Sequence, residues 1–427
     1  MAKRSDFTKG HAGFFLLLTL HYERLSGIRS MKVFSYKRNR FLGYALVGLI
    51  FLLFLFAEII NGRLWLSDFE VYYKAAVRLL SAQNLYRIEA DGFYIFKYSP
   101  VSAAFFIPFA FFPFGAAKIL YWIFYSGIML ACIHEAKRLA WQPGENENGS
   151  RINTLVLITG LIFMVHFLRE LHLGQVTFIL LLLYLLALRT LLSGSDWLSG
   201  LLLAVSIFIK PFGLIFLPYL MIKGKWKALM WVLIFSITLI FLPLIFYGSF
   251  GFLVEQYSAW YREVIIELGN KQDLAMAANQ TIFSVLARYS GIAGMLGSPV
   301  LINTYRILVL ALLTGLVLLL VLKGKGMPNR EIPESFFLMG LIPLLAFSGE
   351  NSFCLFLPSS ILVIICFKEL TLLLKITAIL SFLFIGGNIY DLWGPVLSAW
   401  FDQISLITLG AVGLSGITAF LRIKKVF

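Results

Sequence analysis

Asp68 is a carboxylate placed where it could do chemistry. It stands in Leu66-Ser67-Asp68-Phe69-Glu70, just beyond the first long apolar run, where the hydrocarbon of a membrane would end. Two readings compete for it. In the first turn of a helix it would complement the helix dipole, worth about 0.3–1 kcal/mol. At the rim of a lipid-accessible pocket it would act as a general base and take a proton from a hydroxyl. Cations recur at the ends of other apolar runs: Lys97, Arg169 and Lys210, with Arg63 and Arg262 as further candidates. Lys210 lies between two short apolar runs, where an unpaired ammonium is costly. It either snorkels to the interface or contacts an anionic group. Arg169, in His166-Phe167-Leu168-Arg169-Glu170-Leu171-His172, offers a planar fork suited to phosphate, or else pairs with Glu170. Gln175, Asn279, Gln280, Glu350 and Asn351 could bind hydroxyls or cap loops. Tyr72 and Tyr73 either pack their helix or stack on a sugar, and His166 and His172 read as packed or interfacial.

Other chemistries lack their residues. There is no Asp-x-Asp pair, no G-x-x-x-x-G-K-[ST], no G-x-G-x-x-G and no H-E-x-x-H. An ATP-driven pump, a soluble-type nucleotide-sugar transferase and a zinc protease are disfavoured. No cofactor and no metal requirement is expected, although Asp68, Glu70 and Asp91 share one loop. Cys132, Cys354 and Cys366 sit in apolar runs, which excludes a disulfide framework and a cysteine zinc site.

Asp68 needs an element to hold it at the interface. Ser67 and Glu70 have capping-box spacing, which starts a helix at Asp68. Phe69, Tyr72, Tyr73, Ala76, Val77 and Leu80 then recur at helical spacing as one apolar face, with Glu70, Lys74, Arg78 and Ser81 off it. The spacing predicts a helix lying along the membrane surface. Ser99–Phe112 is apolar but short and carries Pro100 and Pro108, so it reads as a re-entrant or interfacial segment.

The elements around it are membrane spans. Of the 427 residues 60% are hydrophobic and 14% charged, whereas a soluble domain is about 25% charged. Phe, Tyr and Trp make up 16%, an aromatic load suited to two membrane interfaces. Soluble, disordered and fibrous classes are excluded. Twelve spans are predicted, near 41–60, 115–134, 152–168, 174–192, 197–209, 211–222, 228–247, 303–322, 335–348, 353–367, 372–390 and 403–421. With the N-terminus inside, the inner segments carry 24 of the 36 Lys and Arg but 9 of the 22 acids, the asymmetry of the positive-inside rule. Both termini are then cytoplasmic, with 1–40 an N-terminal extension, 41–421 a single transmembrane domain and 422–427 a tail. Two long loops, 61–114 and 248–302, lie outside. The net charge of +14 needs no nucleic acid as partner on this topology. Residues 1–30 receive no function.

Five ordered pieces carry a family resemblance. They are Asp68-Phe69-Glu70-Val71-Tyr72-Tyr73 with Asn84-Leu85-Tyr86, and Phe96-Lys97-Tyr98-Ser99-Pro100 with Pro108 and Pro113. Gly174-Gln175-Val176 opens a span, and Ser199-Gly200-Leu201 leads to Ile209-Lys210-Pro211 and the basic loop 223–227. Asn279-Gln280-Thr281 precedes a short helical run ending at Arg288. In these pieces the chain resembles glycosyltransferase family 87, the polyprenyl-phosphate-mannose-dependent mannosyltransferases of the GT-C membrane fold. It departs at Phe347-Ser348-Gly349-Glu350-Asn351-Ser352, where members often carry a Ser-Pro, Trp-Glu-His stretch. The departure touches acceptor choice and any histidine role.

The resemblance implies an all-α polytopic enzyme of the plasma (inner) membrane with a GT-C-type fold and about twelve transmembrane helices. It would move a hexose, mannose first, from a polyprenyl-phosphate donor to a hydroxyl of a glycan or glycolipid acceptor on the outer face, with inversion. It implies Asp68 as the general base and supports Lys210 on the donor phosphate, an anionic leaving group that cations must stabilise. Arg169 and Lys97 are the further phosphate candidates, and Tyr72, Gln175, Asn279, Gln280 and Glu350 the sugar or acceptor candidates. The competing class is a multi-pass transporter or flippase of lipid-linked sugars, with a non-catalytic scaffold third. A transporter should place ionisable groups at mid-membrane. Glu58, Lys118, Lys210 and Lys375 mostly lie within a turn or two of a span end, which favours the enzyme.

Overall fold

A computed structural model describes residues 41–92, 94–141, 149–270, 273–295, 298–323, 330–346 and 349–424. The predicted extension 1–40, the pair Phe347-Ser348 and the last three residues of the tail lie outside the described residues. Among the described residues all regular structure is helical. In chain order the main helices are α1 (Leu42–Ile60), α2 (Ser67–Leu80), α3 (Phe114–Ala140), α4 (Gly149–Leu173), α5 (Thr177–Leu192), α6 (Asp196–Ile209), α7 (Trp226–Ile240) and α8 (Phe250–Asn270). They continue with α9 (Ile282–Tyr289), α10 (Pro299–Leu322), α11 (Glu331–Leu345), α12 (Leu357–Ile365), α13 (Leu372–Gly386), α14 (Tyr390–Gln403) and α15 (Leu406–Lys424).

Six of these segments are long and apolar enough to cross a membrane: α1, α3, α4, α7 with its extension to Tyr247, α10 and α15. A seventh results if α13 and α14, bent by 103° at their junction, are one broken span. The protein is therefore an integral membrane protein by composition and helix length. The predicted count was twelve. The difference lies in the shorter apolar helices α5, α6, Pro211–Ile222, Glu350–Ile365 and the 15-residue α11, each below the roughly 20 residues that cross a hydrocarbon core alone. The 99–112 run forms two short helices, Pro100–Ala104 and Ile107–Ala110, neither of them a span.

The core is aromatic at one end and ionic at the other. Phe69 of α2 stacks on Tyr121 of α3 at 4.2 Å between ring centroids, and Tyr121 stacks on Tyr125 at 5.4 Å. At the opposite end of the bundle Glu334 accepts from Tyr219 (2.8 Å) and pairs with Lys223 (2.5 Å) and Arg422 (2.7 Å). One buried carboxylate thus joins the end of Pro211–Ile222 to α11 and α15.

Helix α2 forms as predicted in extent but not in its start or its face. It begins at Ser67, after Leu66 in a left-handed conformation (φ 45°), and no side chain caps it. Leu66 is fully buried, its N–H donates to the His172 carbonyl (3.2 Å) and its own carbonyl accepts from Glu70 N–H (2.9 Å). Burial of Leu66 against the end of α4 sets the helix entry, and the capping box of Ser67 and Glu70 is not formed. Glu70 pairs instead with Lys74 at 2.8 Å. The buried face comprises Phe69, Val71, Tyr72, Ala75, Ala76 and Leu79, while Val77 and Leu80 are exposed. The helix is covered by protein, including Pro100–Ala104 and Ile107–Ala110, so its buried face is turned towards Val71, Ala75 and Leu79, away from the one predicted for a helix resting on lipid.

Candidate functional site

Asp68 is the second residue of α2, half-buried at the end of the bundle where α4 turns into α5. The turn is Gly174-Gln175. Gly174 adopts φ +71°, and a Cβ there would meet Phe69 Cβ at 2.6 Å and Leu66 Cβ at 3.1 Å. A residue without a side chain lets the turn close against the first turn of α2. That approach brings the Gln175 amide Nε2 onto Asp68 Oδ2, to which it donates a hydrogen bond. The Gln175 carbonyl accepts from Tyr121 OH, and its N–H donates to the Glu170 carbonyl (3.1 Å), so the residue is held at both ends.

Lys210 approaches from the other side. It is the residue after α6, in extended conformation between α6 and Pro211. Its Nζ lies 3.4 Å from Gln175 Oε1 and 5.8 Å from the ring centres of both Tyr98 and Phe212. Gln175 therefore bridges Asp68 and Lys210 with its two amide ends. Burial pushes the Asp68 carboxyl up from its ordinary value, and Lys210, the Gln175 hydrogen bond and Lys97 pull it back only in part. A carboxylate with a raised pKa is a stronger base than a free one, which suits proton abstraction.

Beneath this trio Glu170 is fully buried. It accepts from Tyr125 OH and from the Thr177 N–H (3.2 Å) and hydroxyl (3.0 Å), fixing the start of α5. Tyr72 is buried too: its ring stacks on Phe106 (4.6 Å) and its hydroxyl meets Tyr98 OH at 2.8 Å. The ring faces are occupied by protein, so Tyr72 serves the core rather than offering a platform to a sugar.

The cavity beside the trio has a volume of about 370 Å³ and is lined by Lys97, Phe212, Glu267, Asn279, Thr281 and Arg306, among others. Phe212 lies under Lys210 and Lys97 acts on Asp68, so this wall of the cavity is also a wall of the site. Lys97 pairs with Glu267 of α8. The loop bearing Lys97 is strapped to α8 at two further points, Gln256 Oε1 to Leu85 N–H (3.0 Å) and Glu263 to Arg87 (2.5 Å). On the other flank Asp91 accepts both arms of Arg78 (2.5 and 2.7 Å), which holds its carboxyl below the usual range.

The remaining candidates are distributed differently. Arg169 does not pair with Glu170. It donates to Glu350 (2.5 Å) and to the Asn388 carbonyl (3.4 Å), in a separate group completed by the Asn388 bond to Asp402 (2.8 Å). Its polar partners among the described residues are these, not Asp68, Gln175 or Lys210. Glu350 goes with it. Asn279 lines the cavity, yet its amide is engaged within its own loop, with the Asp273 carbonyl (3.0 Å) and the Thr281 hydroxyl (2.7 Å). Gln280 ties that loop to the Asp402 carbonyl (2.8 Å) and Thr408 (3.0 Å). His166 and His172 are packed, against the Ile385 carbonyl (3.0 Å) and Glu58 (2.7 Å). Among the described residues no group of three His, Cys, Asp or Glu is arranged to hold a metal ion.

Sequence reading did not single out Glu267, Arg306 or the Glu170 and Tyr125 support. Arg306 carried a visible signal, a cation eight positions into an apolar helix. Glu267 carried none, since its pairing with Lys97 spans 170 residues.

The model of glycosyltransferase family 87 matches residues 96–348, more than half of the chain. The matched stretch contains Lys97, Arg169, Gln175, Lys210, Asn279, Gln280 and Arg306, while Asp68 and Tyr72 precede it and Glu350 follows it. No curated protein and no solved structure matches the chain. With an apolar helical bundle and a carboxylate–amide–ammonium site at one end of it, the chain belongs to glycosyltransferase family 87, and it is a membrane glycosyltransferase.

Proposed function

We propose that the protein transfers a hexose, mannose first, from a polyprenyl-phosphate donor to a hydroxyl of a glycan or glycolipid, with inversion at the anomeric carbon. The observation that carries this reading is the contact of one amide, Gln175, with both Asp68 and Lys210. Base and cation then stand on two sides of one short gap. Asp68 takes the proton of the acceptor hydroxyl as its oxygen attacks the anomeric carbon. The bond from that carbon to the phosphate oxygen breaks, and the electron pair leaves with the phosphate. Lys210 and Lys97 compensate the charge on the leaving phosphate; a preorganised cation in a site of low polarity is far more effective than one in water. Gln175 orients the carboxylate while its carbonyl end steers Lys210.

No residue in this scheme requires a metal, because the leaving group is already an anion and the cations are side chains. The reaction faces the outside of the plasma (inner) membrane on this reading, with both termini cytoplasmic and a GT-C-type arrangement of the bundle. Incubating the purified protein with radiolabelled polyprenyl-phosphate-mannose and a membrane glycolipid extract tests the donor class. Label moving into glycolipid supports the reading. No label in glycolipid, with transfer from a radiolabelled nucleotide sugar in a parallel incubation, would overturn it.

A further inference from the structure

Two ionisable residues in the spans α1 and α3, Glu58 and Lys118, have no part in the scheme above, and both reach the same short segment. Glu58 is the one charged residue of α1 and is 7% exposed. Its carboxylate bonds Nδ1 of His172, the next-to-last residue of α4, at 2.7 Å. Its carbonyl accepts from the Arg63 N–H (2.8 Å). Lys118, near the start of α3, donates to the Leu64 carbonyl (2.9 Å). The segment they hold, 61–66, links α1 to α2. Asn61, Gly62, Arg63 and Trp65 are exposed, so little apolar burial fixes its course before Leu66. The Trp65 ring lies against the His172 ring at 5.2 Å, and the Leu66 N–H donates to the His172 carbonyl (3.2 Å).

We propose that Glu58, His172 and Lys118 are positioning residues for the base: together they set where Asp68 stands relative to Gln175. The inference rests on the reading of Asp68 as that base. Leu66 lies just before Asp68 and His172 just before Gln175, so the Leu66–His172 backbone bond joins the two segments that must meet. The Glu58–His172 bond anchors that junction on α1. Helix α3 holds the same two segments from one face: Lys118 takes the Leu64 carbonyl, and Tyr121, one turn later, the Gln175 carbonyl. Packing alone does not call for the carboxylate–imidazole pair. Helices α1 and α4 already approach closely elsewhere: a Cβ on Gly43 would lie 3.0 Å from the Asn153 carbonyl oxygen, and one on Gly160 2.9 Å from Val47. Apolar residues in place of a buried charged pair often leave a protein as stable or more so. What the pair adds is direction. It fixes the imidazole, and with it the end of α4 and the Gly174-Gln175 turn, in one orientation. A misplacement of about 1 Å at a reacting group can lower a rate by about 10²-fold.

The test is transfer from polyprenyl-phosphate-mannose by variants of the full-length protein. Glu58→Leu removes the bond and leaves no buried charge unpaired, since the His172 side chain is 28% exposed and can turn to water. Its kcat should fall about tenfold or more with the donor KM kept within about twofold, the split expected when only the reacting geometry is lost. Glu58→Gln, whose amide oxygen accepts from the same imidazole N–H, should keep kcat within about threefold. Lys118→Met should lower kcat about threefold or more, again with the donor KM held. In an Asp68→Asn background Glu58→Leu should change the residual rate by less than about twofold, because no base is left to misplace. If Glu58→Leu does not fold, Lys118→Met alone and in the Asp68→Asn background carries the same comparison. Normal kcat in the folded variants would overturn the proposal. An equal loss in the Asp68→Asn background would show a purely structural role and overturn it too, leaving Asp68 as the base. Full activity of Asp68→Asn by itself would overturn the reading of the base, and the positioning role with it.

Discussion

At the residue scale the site consists of three side chains that are distant in sequence and adjacent in space. Asp68 and Gln175 are 107 positions apart, and Gln175 and Lys210 a further 35. Each was recognisable from its type and its position at the end of an apolar run; that they meet through one amide was not, because the meeting depends on how α2 docks on the α4–α5 turn. Arg169 shows the converse. Its type and position resembled those of Lys210, but Glu350, 181 positions later, takes its guanidinium. A nearer acid, Glu170, is turned inward to Tyr125 and Thr177. Electrostatics at Asp68 give a directional prediction. A cation favours the charged carboxylate, so Lys210 lowers the Asp68 pKa, which burial has raised. Lys210→Met removes that influence. The acid limb of the kcat/KM profile, which rises as Asp68 loses its proton, should move to higher pH, and the donor KM should increase. An unmoved limb in the variant would mean that Asp68 does not sense Lys210.

At the element scale the decisive feature is the entry into α2. The sequence pattern favoured a serine cap, since Ser67 and Glu70 have the spacing for one. The helix starts one residue earlier because burying Leu66 and bonding it to the end of α4 outweighs a surface cap worth about 1 kcal/mol. Asp68 thereby becomes a first-turn residue aimed at the Gly174-Gln175 turn. Gly174→Ala would force a left-handed conformation on alanine, at about 1–2 kcal/mol, and push its Cβ into Phe69. The turn must shift and carry Gln175 away from Asp68. Activity should fall about tenfold or more with the helical content unchanged by circular dichroism, whereas normal activity would show that the Gln175 contact is dispensable.

For the whole molecule, the apolar runs and the charge asymmetry made the helical membrane architecture legible, and the family resemblance is borne out by the match over residues 96–348. The number of crossings was not legible, because a short apolar run reads alike whether it crosses alone or packs within a bundle. Nor was the ionic cluster on Glu334, which joins residues 223, 334 and 422. Glu334→Gln would leave Lys223 and Arg422 without their shared counter-ion. Breaking a buried pair in this way costs about 3–5 kcal/mol, so the melting temperature in detergent should drop sharply. An unchanged melting curve would show that water already compensates these charges. The proposed sidedness predicts that a membrane-impermeant maleimide added from outside reaches Glu89→Cys and not Lys227→Cys, both exposed positions, in a background without the three native cysteines. The reverse pattern would invert the topology. The central claim is that Asp68 is the base. The direct measurement is the single-turnover rate of sugar transfer from polyprenyl-phosphate-mannose by Asp68→Asn, which keeps size and hydrogen bonding but cannot take a proton. The rate should fall by about 10²–10⁴-fold with donor binding retained; transfer within a few-fold of the unaltered protein would contradict it.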